Sequence, residues 1–257
     1  MSRLKSLFKE LQEKFPDDLF LTNHDRKLRE SRPLLRWQRS YERALDVLDE
    51  RAWNVVRQKA MQQFPQRTSD RGKQQFFEIL NEAFAYRFLL RSGFEDISFV
   101  EEEDPRARRK KGQQAEHPDL QFFRNTSQIH CEVKTINRSN DQLKRDRSIG
   151  VVYDSSVFEL GSPFFEKLGK TVSKATQQLA QFGTRGIVYL IIHPDDWTLD
   201  NIEEDKRQIK TFLKAKFPST DIVAKFGVYG RRHLRISRTV PAITHPAPYS
   251  AHARSPV

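Results

Sequence analysis

His117-Pro118-Asp119-Leu120-Gln121-Phe122-Phe123, then Arg124-Asn125-Thr126-Ser127, then Gln128-Ile129-His130-Cys131-Glu132-Val133-Lys134-Thr135-Ile136, is the stretch on which the fold turns. Its last part is rich in β-branched residues and alternates as a strand does. Strand side chains point to opposite faces in turn, so Glu132 and Lys134 share one face and Cys131 and Val133 the other. Residues 120–123 read as a shorter strand and residues 124–127 as a turn. A tight hairpin then carries Asp119 back towards Glu132. Two carboxylates at one point repel each other unless a cation sits between them. Oxygen-only ligation suits Mg2+ or Mn2+. A lysine beside such an ion can orient or help deprotonate a water, and it can stabilise charge on a phosphate.

Upstream of the hairpin, residues 73–91 read as a helix stopped at Gly93. Phe76, Phe77, Leu80, Ala83, Phe84, Phe88 and Leu90 make it apolar around most of its girth, which marks a buried helix. Glu78, Asn81, Glu82 and Tyr86 nevertheless form a polar stripe, and Glu78 and Glu82 are one turn apart on one face. Buried carboxylates are costly unless paired or metal-bound. These two therefore either join the site or reach solvent or Arg87 and Arg91. Residues 97–100 read as a strand. Downstream, residues 150–153 offer a short strand, and Phe164, Phe165, Leu168, Val172, Ala175 and Leu179 mark an amphipathic helix ending at Gly183. Residues 186–192 (Gly-Ile-Val-Tyr-Leu-Ile-Ile) are a continuous apolar run, as a central strand covered on both faces requires. Ile202, Ile209, Phe212 and Leu213 suggest another helix, and residues 222–228 and 234–236 two late strands. The fold class expected is α/β, with a mixed central sheet flanked by helices.

Leu4, Leu7, Phe8, Leu11 and Phe15 follow helical spacing, which Pro16 ends. Residues 22–32 are polar, with no clear period. Pro33 opens one long helical pattern reaching about Phe64. The expected organisation is thus a helical N-terminal region (residues 1–70), an α/β core (71–236) and a tail (237–257). The tail holds four prolines and no acidic residue, so it is expected to be disordered.

Composition narrows the partners. The formal net charge of +11 and an isoelectric point near 9.8 point to a polyanion, with nucleic acid ahead of an acidic membrane surface. One cysteine, Cys131, excludes an intrachain disulfide and a cysteine-based zinc cluster, which fits a reducing, cytoplasmic setting. No apolar run approaches the roughly 18 residues of a membrane span, and no secretory signal opens the chain. No glycine-rich phosphate loop is present, against ATP-driven action. The histidines show no zinc spacing, and no nucleophile-elbow pattern appears. Two basic stretches flank the hairpin: Arg108, Arg109, Lys110 and Lys111 before it, Lys144 and Arg145 after it. They either grip phosphates beside the site or are solvated loops. Arg231, Arg232, Arg235 and Arg238 form a further basic cluster.

An acid-x-lysine triplet occurs three times: Asp25-Arg26-Lys27, Glu132-Val133-Lys134 and Glu204-Asp205-Lys206. In a helical stretch, as around Glu204, positions two apart diverge by about 200° and cannot converge on one ion. Only the second triplet lies on a strand, with an acid one hairpin away. The order of helix with glutamate, strand, Pro118-Asp119, Glu132-Val133-Lys134, helix and strand resembles the PD-(D/E)XK nuclease superfamily, the restriction-endonuclease-like fold, over roughly residues 72–192. The resemblance implies that Asp119 and Glu132 bind the metal, with the Val133 carbonyl as a further ligand, and that Lys134 is the catalytic lysine. It implies that Glu82, eleven residues before Gly93, completes the site through a water or a second metal. Lys174 and Gln178 are the residues that the following helix would present. No clean form of the glutamine-tyrosine motif of some branches is found.

The expected function is therefore a Mg2+- or Mn2+-dependent nuclease, a DNA rather than RNA endonuclease, leaving 5′-phosphates. No membrane partner is expected; the N-terminal helices would dock a second copy or another protein. The alternative is a non-catalytic nucleic-acid-binding module on the same fold. At the residue level the alternative is that Asp119 caps a turn and Glu132 pairs with Lys134 on an exposed strand.

Overall fold

The strand β4 (Gly186–Ile192) shows how the molecule is layered, because its side chains divide between two cores. Ile187, Tyr189 and Ile191 enter one hydrophobic cluster, and Val188, Leu190 and Ile192 enter the other. That alternation is the period of two of a strand, with both faces covered. The computed structural model describes residues 2–67, 72–100, 117–137, 160–182, 186–193, 202–228 and 233–236. The other strands are β1 (Glu95–Phe99), β2 (Leu120–Arg124), β3 (Ser127–Ile136), β5 (Asp221–Phe226) and β6 (His233–Ile236). They form one six-stranded sheet in sequence order. β1, β2 and β3 make an antiparallel meander, β3, β4 and β5 run parallel, and β6 returns antiparallel to β5.

Each parallel step needs a crossover, and the chain supplies a helix for each. These are α6 (Ser162–Ala180) between β3 and β4, and α7 (Ile202–Lys216) between β4 and β5. Leu168, Val172, Ala175 and Leu179 of α6 and Ile209 and Leu213 of α7 cover the sheet face that carries Val188 and Leu190. The opposite face is covered by α5 (Gln74–Arg91), with α1 (Arg3–Lys14), α2 (Leu19–Glu30), α3 (Arg32–Leu45) and α4 (Glu50–Gln63) packed around it. The architecture is mixed α/β, with helices on both faces of a mixed sheet.

The N-terminal helices share their core with α5. Leu4, Leu7 and Leu11 of α1, Tyr41 and Leu45 of α3, and Trp53, Val56 and Ala60 of α4 are buried with Phe76, Leu80 and Phe84. An aromatic layer joins them: Phe20, Trp37 and Phe76 each meet Phe77 with ring centroids 5.0–5.7 Å apart. The buried Lys73 ammonium fixes the start of α5. It donates to the Phe64 carbonyl (2.6 Å) and pairs with Asp18 (2.7 Å).

Two expectations for this region are corrected. Residues 22–32 lie largely within α2. The Asp18 carboxylate caps its first turn by accepting the Phe20 N–H (2.9 Å), and Leu21 and His24 anchor it in the core. A strong cap and few buried contacts suffice, so the apolar period is faint. The long pattern from Pro33 to Phe64 is two helices. Asp49 caps the second by accepting the Ala52 N–H (2.7 Å), while buried Leu48 in the link keeps the apolar period running across the break. The strand expected at residues 150–153, the basic stretches 106–111 and 138–147, and the tail lie outside the described residues. No helix among the described residues is long and apolar enough to cross a membrane.

Candidate functional site

Hairpin geometry brings Asp119 to β3. Arg124 pairs with Ser127, leaving Asn125-Thr126 as the two-residue turn. Asn125 has φ 56° there, a left-handed conformation that asparagine tolerates. The register pairs Leu120 with Cys131, so Asp119 arrives beside Glu132. Its backbone carbonyl accepts the Val100 N–H (3.0 Å), and its carboxylate Oδ2 accepts the Val133 N–H (2.7 Å). Asp119 is thus a bridge between Val100 and β3.

On β3, Cys131 and Val133 enter the core beneath α5. Glu132 and Lys134 are joined in an ion pair, as the alternation requires. The strand is not exposed here: Glu132 is 1% accessible, while the Lys134 side chain keeps 25%. A carboxylate so deeply placed is costly without a cation, and Lys134 supplies one while its stem leads to solvent.

The third carboxylate comes from α5. Glu82 is 6% exposed, and its nearest cation is Lys59 of α4, 3.6 Å from Oε2. That is beyond hydrogen-bond length, and Oε2 has no hydrogen-bond partner among the described residues. Burial, then the negative charge of Asp119 and Glu132, push the Glu82 carboxyl up to about 8, with Lys59 offsetting only part. Burial and the same two carboxylates also raise the Cys131 thiol. Three acids from three elements therefore occupy one electrostatic neighbourhood.

The rest of the polar stripe on α5 clips the helix in place. Glu78 accepts from Asn137 (2.9 Å) and Gln74 (2.6 Å). Asn81 donates to the Thr135 hydroxyl (3.0 Å) and accepts from Tyr41 (2.7 Å). Tyr86 donates to Asp49 (3.0 Å). Of the two glutamates, Glu82 is the one left facing the other acids, and it pairs with neither Arg87 nor Arg91. Lys59 was not anticipated from sequence. Its signal is a cation beside the buried positions Val56 and Ala60 of α4.

On the other face of the sheet, α6 carries exposed Lys174 and buried Gln178. The Gln178 Oε1 finds no hydrogen-bond partner among the described residues. One turn further on, Phe182 meets the rings of His117 (5.3 Å) and His130 (5.5 Å). Arg108, Arg109, Lys110, Lys111, Lys144 and Arg145 lie outside the described residues.

Excess negative charge on hard oxygen donors is the chemistry that suits Mg2+ or Mn2+. Among the described residues, no three His, Cys, Asp or Glu side chains are drawn into one ligand group. Asp119 is engaged by the Val133 amide and Glu132 by Lys134. Mg2+ commonly takes one or two carboxylates and keeps several waters, so a closed protein cage is not required. No family model, no curated protein and no solved structure matches this chain.

Proposed function

We propose that this protein is a metal-dependent nuclease of the PD-(D/E)XK type on a restriction-endonuclease-like fold, a DNA endonuclease working in the cytoplasm. The observation that carries the reading is the Glu132–Lys134 ion pair on β3 with the Asp119 carboxylate held beside it by the Val133 amide, and with Glu82 of α5 near enough for the charge of both acids to raise its carboxyl. The element order α5, β1, β2, β3, α6, β4 supports it, since it is the order that the resemblance implies. Phosphodiester hydrolysis adds negative charge to a group already anionic. A divalent ion, when bound, offsets that charge and lowers the pKa of a water. Asp119 and Glu132 would hold it, with the Val133 carbonyl beside them and Glu82 behind. Glu132 aims the Lys134 side chain, and its ammonium orients the attacking water and donates to a phosphate oxygen. The Val133 amide holds the Asp119 carboxylate in its rotamer. Arg108, Arg109, Lys110, Lys111, Lys144, Arg145, Lys174 and Gln178 would grip the strand on either side.

The test is cleavage of supercoiled plasmid and single-stranded DNA with Mg2+, Mn2+ or EDTA. Wild type is compared with Lys134→Ala and Asp119→Ala, whose folding is checked by circular dichroism. Metal-dependent cutting that falls at least roughly a hundredfold in both variants is expected. Full activity in both would sink the assignment. A second reading, a non-catalytic nucleic-acid-binding module, draws on one observation: Asp119 and Glu132 already have partners in Val133 and Lys134. Salt-sensitive binding without metal dependence or cleavage would favour it.

A further inference from the structure

A second polar cluster lies across α5 from Glu82, and cations dominate it. Phe84, Arg87, Phe88 and Arg91 fall at helical spacing along one side of α5. That side meets the edge of the sheet. Lys225 of β5 pairs in register with His233 of β6, and Val223 with Arg235. The Lys225 ammonium sits 5.0 Å above the Phe84 ring, and the Arg235 guanidinium 5.0 Å above Phe88. The Phe88 ring lies tilted against His233, centroids 4.8 Å apart, and the His233 Nε2 lies 2.9 Å from the Tyr189 hydroxyl. Lys225 forms the floor at 4% exposure. Arg87, His233 and Arg235 are half-buried around it, and Arg43 and Arg91 stand exposed at the rim.

The charges press on one another. Burial, then Arg91 and Arg43, lower the Arg87 guanidinium. Burial, then Arg87, bring Lys225 down to about 8. Burial, then Lys225, Arg235, Arg87 and Arg91, push His233 to about 3, so it is neutral. Among the described residues, Arg43, Arg87 and Arg91 enter no ion pair, and the buried Arg87 Nε has no hydrogen-bond partner. Arg87, held half-buried beside Arg43 and Arg91, is costly at low dielectric, and an anion removes that cost. The planar fork of arginine matches a phosphate, with charge-assisted hydrogen bonds.

We propose that this cluster is a phosphate-binding site in which Arg87 and Lys225 hold a phosphoryl group and Arg43, Arg91 and Arg235 draw it in. The phosphoryl group belongs either to a nucleic-acid backbone or to a free phosphate or phosphomonoester. The proposal does not depend on nuclease activity, and its test runs in EDTA. Calorimetric titration of the full chain would use inorganic phosphate, a 5′-mononucleotide and a short single-stranded oligonucleotide, at ionic strength matched with NaCl. Wild type is set beside Arg87→Gln, Arg91→Gln and the surface control Lys5→Gln. At least one probe should bind wild type and Lys5→Gln equally, and Arg87→Gln and Arg91→Gln about tenfold more weakly. Arg91 is exposed, so its variant keeps the test valid if Arg87→Gln fails to fold. Binding of phosphate alone identifies a free-phosphate site. Binding of the oligonucleotide only, with a salt slope reduced by about one in each variant, identifies a backbone contact. If no probe binds, or if neither arginine variant differs from Lys5→Gln, the proposal is overturned.

Discussion

Replacing Glu82 by glutamine should make the protein more stable at neutral pH, although the side chain is buried. The glutamate carboxyl has an ordinary value of 4.5 and is raised to about 8 in the folded chain. Between those values the native state holds a proton that the unfolded chain has released. Wild-type stability is therefore undiminished by this group below pH 4.5 and falls as pH rises towards 8. The slope is about 1.4 kcal/mol per unit. At pH 7 the accumulated cost is about 3 kcal/mol, and it levels off above pH 8. Glutamine is nearly isosteric and cannot ionise, so it lacks this cost. The pull of Lys59 is already contained in the value of about 8, and Lys59, 23% exposed, can turn to water at a cost of about 1 kcal/mol or less. The net gain expected for Glu82→Gln is about 2–3 kcal/mol at pH 7, shrinking to nothing near pH 4.5. Urea unfolding of both proteins in EDTA at half-unit steps from pH 4.5 to 8.5 measures it. A difference that stays flat across that range, or a wild type more stable than the variant at pH 8, would refute the reasoning. A residue kept only for packing would show the opposite sign; one that gains stability when neutralised is held for its charge.

Three further outcomes are expected. Mg2+ should raise the wild-type unfolding free energy, read from urea titration at pH 8, by about 3 kcal/mol at a hundredfold excess over its dissociation constant, and raise that of Glu132→Gln far less; no shift at any concentration removes the metal site. Tyr41→Phe leaves the buried Asn81 Oδ1 without its 2.7 Å donor and should cost about 1–3 kcal/mol in chemical denaturation; an unchanged midpoint would mean that Asn81 is not held as described. Cys131 is fully buried with a raised thiol, so a thiol reagent should label it only at the rate of unfolding; fast labelling under native conditions would contradict its placement.

What could be read directly from the residues was local. The hairpin was legible because a period of two on either side of four turn residues fixes both the face and the register of Glu132 and Lys134. β4 was legible because only a doubly covered strand is apolar at every position. Glu82 stood out because a carboxylate on a helix apolar all round has few places to go. The capped, lightly buried α2 and the break at Asp49 were not visible, since caps act through one hydrogen bond and leave the apolar period unaltered. Lys59 and the cluster around Lys225 were invisible for another reason. Arg43, Arg87, Tyr189, Lys225 and His233 are far apart in the chain, and only the packing of α5 on the sheet brings them together. Of that cluster, sequence marked Arg235 as one of four arginines near the end, and Arg87 and Arg91 as partners for the α5 glutamates rather than as parts of a basic site.

The placement of charge on α5 links the two clusters. The chain carries 45 lysines and arginines, yet none stands three or four residues from Glu82, where a helix would let it pair. Those positions are Glu78, Ile79, Ala85 and Tyr86. The nearest cation on the helix is Arg87, five residues on, and five steps turn it about 140° away. The helix therefore sends its acid towards Asp119 and Glu132 and its bases towards β5 and β6. Neutralising Glu82 from its own helix would have needed one substitution, at Ala85 or Tyr86. Instead the only cation among the described residues that reaches it comes from α4, at 3.6 Å, close enough to restrain the carboxylate and too far to saturate it. A buried acid short of positive charge, and arginines (Arg43, Arg87 and Arg91) without an ion pair among the described residues, on opposite flanks of one buried helix make an arrangement that folding alone disfavours. Each cluster would be stabilised by the ligand that the other would repel.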